Sequence, residues 1–201
     1  MDHSRMLGVV ALTLAALVTP AGAQIEVRLA NDNGRERATR ERLLELVDEH
    51  DVSAWLYTDV VLVDQDETPH SHPVLTIDAE DPIDDDMLLS TFVHEQFHWL
   101  EDGETLGAFR QAMGDFARLF PDAPARAGGG ARDQESTYRH LIVCDLELQA
   151  MTRLIGEEAA RALLARITHY EWIYERVLTD PRVREVTERH GFVLDRLPTA
   201  R

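Results

Sequence analysis

The sequence predicts an α+β fold, mostly α, in one domain. Three observations carry this. Two β-branched runs, residues 54–64 and 74–78, stand between segments with apolar residues at helical spacing. From Gln134 the helical spacing continues almost to the end. The chain has 201 residues, 44% of them hydrophobic, which is enough to bury a core.

The first 23 residues are expected to be a secretory signal peptide. Arg5 lies in a short n-region, Leu7 to Val18 is apolar, and Ala21-Gly22-Ala23 precedes Gln24 as a cleavage site would. The apolar run is shorter than the roughly 20 residues that span a bilayer. The expected mature domain is 24–201, secreted or periplasmic, with no membrane attachment after cleavage. Residues 24–36 are polar and read as a leader or a short first strand. A helix is predicted over 38–50 from Leu43, Leu44, Leu46 and Val47, and strands over 54–64 and 74–78. Between the strands "QDETPHSHP" is a turn cluster. A helix from about Asp85 to Glu101 follows, with Asp84, Asp85 and Asp86 as its capping acids and Gly103 ending it. Helices are predicted over 104–119, 134–155, 157–178 and 181–190, with a loop over 121–133 and a possible terminal strand "FVLD".

Asp and Glu number 37, against 20 basic residues that are all Arg, giving a formal net charge of −17. Asp2 and Arg5 cancel, so the mature domain keeps that charge. Such a surface disfavours nucleic acid and anionic lipid. Cys144 is the only cysteine, which excludes an intramolecular disulfide.

The chemistry centres on "HEQFH", with His94 and His98 at i and i+4 and Glu95 between them. On a helix the two imidazoles share one face and can grip one tetrahedral ion. Glu95 points aside, where it can take a proton from water without binding the ion itself. The surrounding Leu88, Leu89, Phe92, Val93, Phe97, Trp99 and Leu100 make a greasy helix in which such groups need partners.

With this motif and the preceding helix–strand–strand order, residues 38–155 resemble the zincin metallopeptidases, and the gluzincin-like group in particular. The metzincin extension needs glycine at position 101 and histidine at 104, where this chain has Glu101 and Glu104. The resemblance implies a zincin-like domain, one Zn2+ ion, Glu95 as general base and a peptide or protein substrate. It also implies that the strand before the motif, Val74 to Asp78, pairs with extended substrate. A catalytic zinc needs a third ligand. Gluzincins draw a Glu from a downstream helix, which favours Glu147, with His140 and then Glu135 as alternatives. His140 and Glu147 share a helix face with Cys144 between them, seven residues and ~10 Å of rise apart. One would bind the ion, and the other would support it or touch substrate. The acidic residue that gluzincins place four positions later is absent: Arg139 follows Glu135 and Met151 follows Glu147.

Tyr138 and Tyr170, with His140, are candidates for contact with the transition state or substrate. A core role is the stronger reading for each tyrosine and for Cys144. "HYEWIY" (169–174) reads as core or pocket wall. His70 and His72, with Asp64 or Asp66, could hold a second metal, although a solvated turn is favoured. The expected function is a secreted or periplasmic zinc-dependent hydrolase, foremost a metallopeptidase. The alternative is a non-catalytic zinc-binding structural or interaction protein, its site closed by His94, His98, His140 and Glu147 or Cys144.

Overall fold

The computed structural model describes residues 25–198, so the expected signal segment lies outside the described residues. Strand β1 (Glu26–Leu29) leads into helix α1 (Gly34–Glu49), then β2 (Val60–Val63) and β3 (Leu75–Ile77). The polar leader region thus does contain a first strand. All three strands are parallel, in the order β1-β2-β3, with Val27 opposite Val61 and Val63 opposite Ile77. Six helices follow: α2 (Asp85–Phe97), α3 (Leu106–Leu119), α4 (Gln134–Ile155), α5 (Glu157–Leu164), α6 (Glu171–Thr179) and α7 (Pro181–Arg189). The α+β, mostly α reading holds. Among the described residues no helix is long and apolar enough to cross a membrane.

Short polar side chains start the main helices by accepting from otherwise orphaned amides. Asn33 caps α1, Asp84 caps α2 through Met87 N, and Asp133 caps α4 through Ser136 N at 2.7 Å. The Asp84–Asp86 run is therefore a helix start.

Helix α4 forms the centre of the helical layer and packs against α2, α3, α5, α6 and α7. It is buried on most sides, with Leu141, Ile142, Val143, Cys144, Leu146, Ala150 and Met151 fully enclosed. Polar anchors fix the rest. Gln96, inside the motif, accepts from Thr58 N and donates to Thr58 O, tying α2 to the approach of β2. The buried Glu36 carboxylate accepts from Asn31 N and Asn31 Nδ2, pinning α1 to the end of β1.

Beyond shifts of a few residues, as in α1, which starts at Gly34 rather than at 38, four elements differ from expectation. The 54–64 strand is shortened to Val60–Val63, because Ser53–Trp55 turns as a 3-10 segment that buries Trp55. Helix α2 stops at Phe97 and tightens into a 3-10 turn over His98–Glu101. The 157–178 helix divides at residues 165–170, where Tyr170 takes a left-handed backbone with φ 62°. "FVLD" forms no strand: Leu194–Arg196 is a 3-10 turn, and Gln149 on α4 binds Phe192 O and Leu194 N.

Candidate metal centre

Helix α2 carries His94 and Glu95 on its last turn, and His98 opens the 3-10 turn that follows. Helix α4 brings His140 against them. One ligand-capable atom from each of His94, His98 and His140 lies within 4.8 Å of the others, so the three can hold a metal ion. Ring centroids are 5.1 Å apart for His94–His98, 4.9 Å for His98–His140 and 5.7 Å for His94–His140.

Each ring has an acceptor on its Nδ1. His94 Nδ1 lies 2.9 Å from Glu147 Oε2, His98 Nδ1 2.9 Å from Glu101 Oε1, and His140 Nδ1 2.7 Å from Ser136 O. A ring that donates through Nδ1 keeps the Nε2 lone pair for a metal, the usual arrangement behind metal-ligating histidines. These acceptors are themselves held. Glu147 also accepts from Ser90 Oγ at 2.6 Å and from the Tyr174 hydroxyl at 2.9 Å. Glu101 pairs with Arg139, the neighbour of His140, at 2.8 Å.

Electrostatics favour the same state for two of the three rings. Burial, and then the charge of neighbouring rings, pushes His98 and His140 well below the usual imidazole range, so both keep neutral lone pairs. Burial opposes protonation of His94 too, but the Glu147 carboxylate and Cys144 beside it outweigh burial and raise it. His98 and His140 are thus neutral, a bound ion would have to displace a proton from His94, and three imidazoles backed by acceptors suit a borderline ion such as zinc.

Glu95 adjoins this cluster. Burial raises its carboxyl above the usual range, with His94 and His70 opposing the shift. Among the described residues it makes no hydrogen bond. Glu95 keeps 7% exposure, and His94, His98 and His140 keep 7%, 9% and 8%, so the group reaches solvent.

The expected third ligands separate in space. Glu147 lies on the Nδ1 side of His94, and with Cys144 it forms a second metal-capable group that shares His94. Glu135 is exposed in the first turn of α4 and joins neither group. Tyr138 turns away as a packing residue, its hydroxyl donating to Phe120 O at 2.9 Å. Tyr170 is half-buried, with its ring 4.4 Å from His140 and 6.4 Å from His94. Its left-handed backbone costs about 1–2 kcal/mol for a side chain of this size, and it puts the phenol beside the cluster.

His70 and His72 are not drawn together around an ion. His70 Nδ1 binds Thr68 O at 2.8 Å, while His72 stacks on Trp99 at 4.3 Å and reaches Asp102 at 3.2 Å. The β3 edge expected to receive substrate is closed at Thr76. Its N–H donates to His70 O at 2.7 Å, and its carbonyl accepts from His70 N at 3.1 Å.

Sequence reasoning missed the supporting residues Ser90, Glu101, Arg139 and Tyr174. Two carried a readable signal: Ser90 is four residues before His94, and Glu101 three after His98, both on a ligand's own helical face. Compared with known proteins, the chain matches no protein-family model, no curated protein and no solved structure. Function therefore has to be argued from the site.

Proposed function

We propose that this protein is a secreted or periplasmic zinc-dependent hydrolase, foremost a peptidase, with His94, His98 and His140 as protein ligands. One observation carries this reading: three buried imidazoles converge with every Nδ1 already engaged, next to Glu95, whose carboxylate has no hydrogen-bond partner among the described residues. A bound zinc ion supplies Lewis acidity toward a carbonyl oxygen and acidifies water. Glu95 would take the proton of an attacking water and deliver it to the leaving nitrogen, a role its raised carboxyl suits. Tyr170, whose ring lies 4.4 Å from that of His140, would donate to the oxygen where negative charge develops. Glu147 and Glu101 orient His94 and His98 as positioning residues.

The same arrangement weighs against a closed structural site. Glu147 meets His94 at Nδ1, so an ion held by His94, His98 and His140 would have three protein ligands, as a catalytic zinc would, and the Glu147 carboxylate would support rather than close the site. Peptide as substrate rests on the zincin resemblance of the motif, and export rests on the leader-like first 23 residues. Glu95→Gln is the test. The variant should bind one equivalent of zinc as wild type does and lose at least about a hundredfold in hydrolysis of a mixed peptide library. Full activity in Glu95→Gln would sink the mechanism.

A further inference from the structure

On the Glu147 side of His94, a second set of metal-ligating groups meets in the core. One ligand-capable atom from each of His94, Cys144 and Glu147 lies within 4.8 Å of the others. Helix α4 supplies Cys144 and Glu147, three residues apart on one face. Helix α2 supplies His94, whose Nδ1 is 2.9 Å from Glu147 Oε2. Helix α6 adds Tyr174, whose hydroxyl donates to the same oxygen at 2.9 Å and lies beside the Cys144 thiol. Ser90 Oγ holds the other oxygen, Glu147 Oε1, at 2.6 Å. A thiol, an imidazole, a carboxylate and a phenol are thus gathered from three helices. Cys144 and Glu147 are enclosed, and of the three metal-capable residues His94 alone keeps 7% exposure.

The hydrolase reading does not use the thiol, and hydrogen bonding does not call for one, since S–H is a weak donor and sulfur a weak acceptor. Thiolate is, however, the ligand that selects soft cations, whereas imidazoles suit zinc. We propose that His94, Cys144 and Glu147 form an inner metal position for a soft, thiophilic cation, and that filling it disarms the three-histidine position.

The exchange balances. The cation bonds Cys144 Sγ, Glu147 Oε2 and His94 Nδ1. The Cys144 S–H proton goes to solvent, and the His94 proton passes from Nδ1 to Nε2. With Nε2 protonated, His94 has no lone pair for an outer ion, which is left with two rings. Donors around a tetrahedral ion with bonds of about 2.1 Å stand about 3.4 Å apart, so the His94–Glu147 contact opens by roughly half an ångström.

The inner position stands on this geometry alone, while its effect on zinc rests on the His94–His98–His140 reading above. The full chain, loaded with one equivalent of zinc, is titrated with Cd2+ and left to equilibrate. Sulfur-to-cadmium charge transfer is read in the ultraviolet, and released zinc by dialysis and elemental analysis. Cys144 is the only cysteine, so the sulfur band reports this position and no other. The band should saturate near one equivalent of cadmium, with zinc released in step. Cys144→Ser should abolish the band and bind zinc as wild type does. His98→Ala lacks an outer ligand and should still give the band. Wild type should bind cadmium at least about a hundredfold tighter folded than unfolded in urea, where the thiol stands without its neighbours. No band in the folded chain, or binding no tighter than in the unfolded chain, overturns the inner position. A band with zinc fully retained overturns the competition for His94. Failure of wild type to bind zinc removes the three-histidine reading, and the band then still decides the inner position.

Discussion

Replacing Glu147 distinguishes a supporting carboxylate from a metal ligand. Glu147 is 1% exposed and accepts from Ser90 Oγ, His94 Nδ1 and the Tyr174 hydroxyl. Glu147→Ala strands three buried donors. Each costs about 1–3 kcal/mol, so the total of roughly 3–9 kcal/mol rivals the ~5–15 kcal/mol stability of a whole domain. Glu147→Gln is the informative change. Its amide oxygen keeps one or two of the three bonds, and its NH2 group meets a donor, at a cost of about 1–3 kcal/mol. A carboxylate behind a ligating histidine is worth about 10- to 100-fold in metal affinity. Zinc dissociation constants from chelator competition, with urea unfolding of the metal-free protein as control, should show a 10- to 100-fold loss in Glu147→Gln. Unchanged zinc affinity refutes the supporting role. A loss beyond about a thousandfold makes Glu147 itself a ligand and refutes the His94–His98–His140 set.

Other expectations follow from single contacts. His140→Ala should weaken zinc at least about a hundredfold while Glu135→Ala stays within about threefold, both by the same competition assay, since only His140 stands with the other two rings. Zinc at a hundred times its dissociation constant should stabilise the fold by about 2.7 kcal/mol, read as a rise in the urea midpoint that a chelator reverses. Gly130→Ala puts a Cβ 1.9 Å from Pro124 O and 2.6 Å from Thr137 Oγ1. It should cost about 3 kcal/mol or more, measured by urea denaturation, and no gain in zinc should rescue it. Asp115 is held below its usual value of 3.8 by His190, helped by Arg189. Its stabilising effect is present above that pH and fades as pH falls through the depressed folded value. Asp115→Asn should therefore flatten the loss of stability below pH 3.8, and an acid titration as steep as wild type would count against this.

Much of the candidate metal centre is readable because it is local. His94, Glu95 and His98 follow from spacing on one helix, and Asp84 announces where that helix starts. Glu147 and His140 share a face of α4, which links both to the motif: Glu147 meets His94 Nδ1, and His140 stands with His94 and His98. Spacing alone does not say which of two atoms on one face meets the open nitrogen of a ring on another helix. That depends on the rotation of α4 against α2. The shortened β2 and the 3-10 end of α2 reflect tertiary demands, namely the burial of Trp55 and the aim of His98. No glycine or proline marks the break between α5 and α6, where "LLARITHYEW" keeps helical character. The break is where Tyr170 comes to face His140, a partner thirty residues earlier in the chain.

Helix α4 is at once the keel of the helical layer and the beam on which His140, Cys144 and Glu147 are mounted. Its buried residues cannot be exchanged without loosening the frame. Under the hydrolase reading proposed above, retuning of selectivity is confined to the parts bolted around it: the turn carrying His70 and His72, the glycine-rich segment before α4, and the opening turn of α6. Libraries built for altered preference should diversify those three pieces and leave the beam untouched.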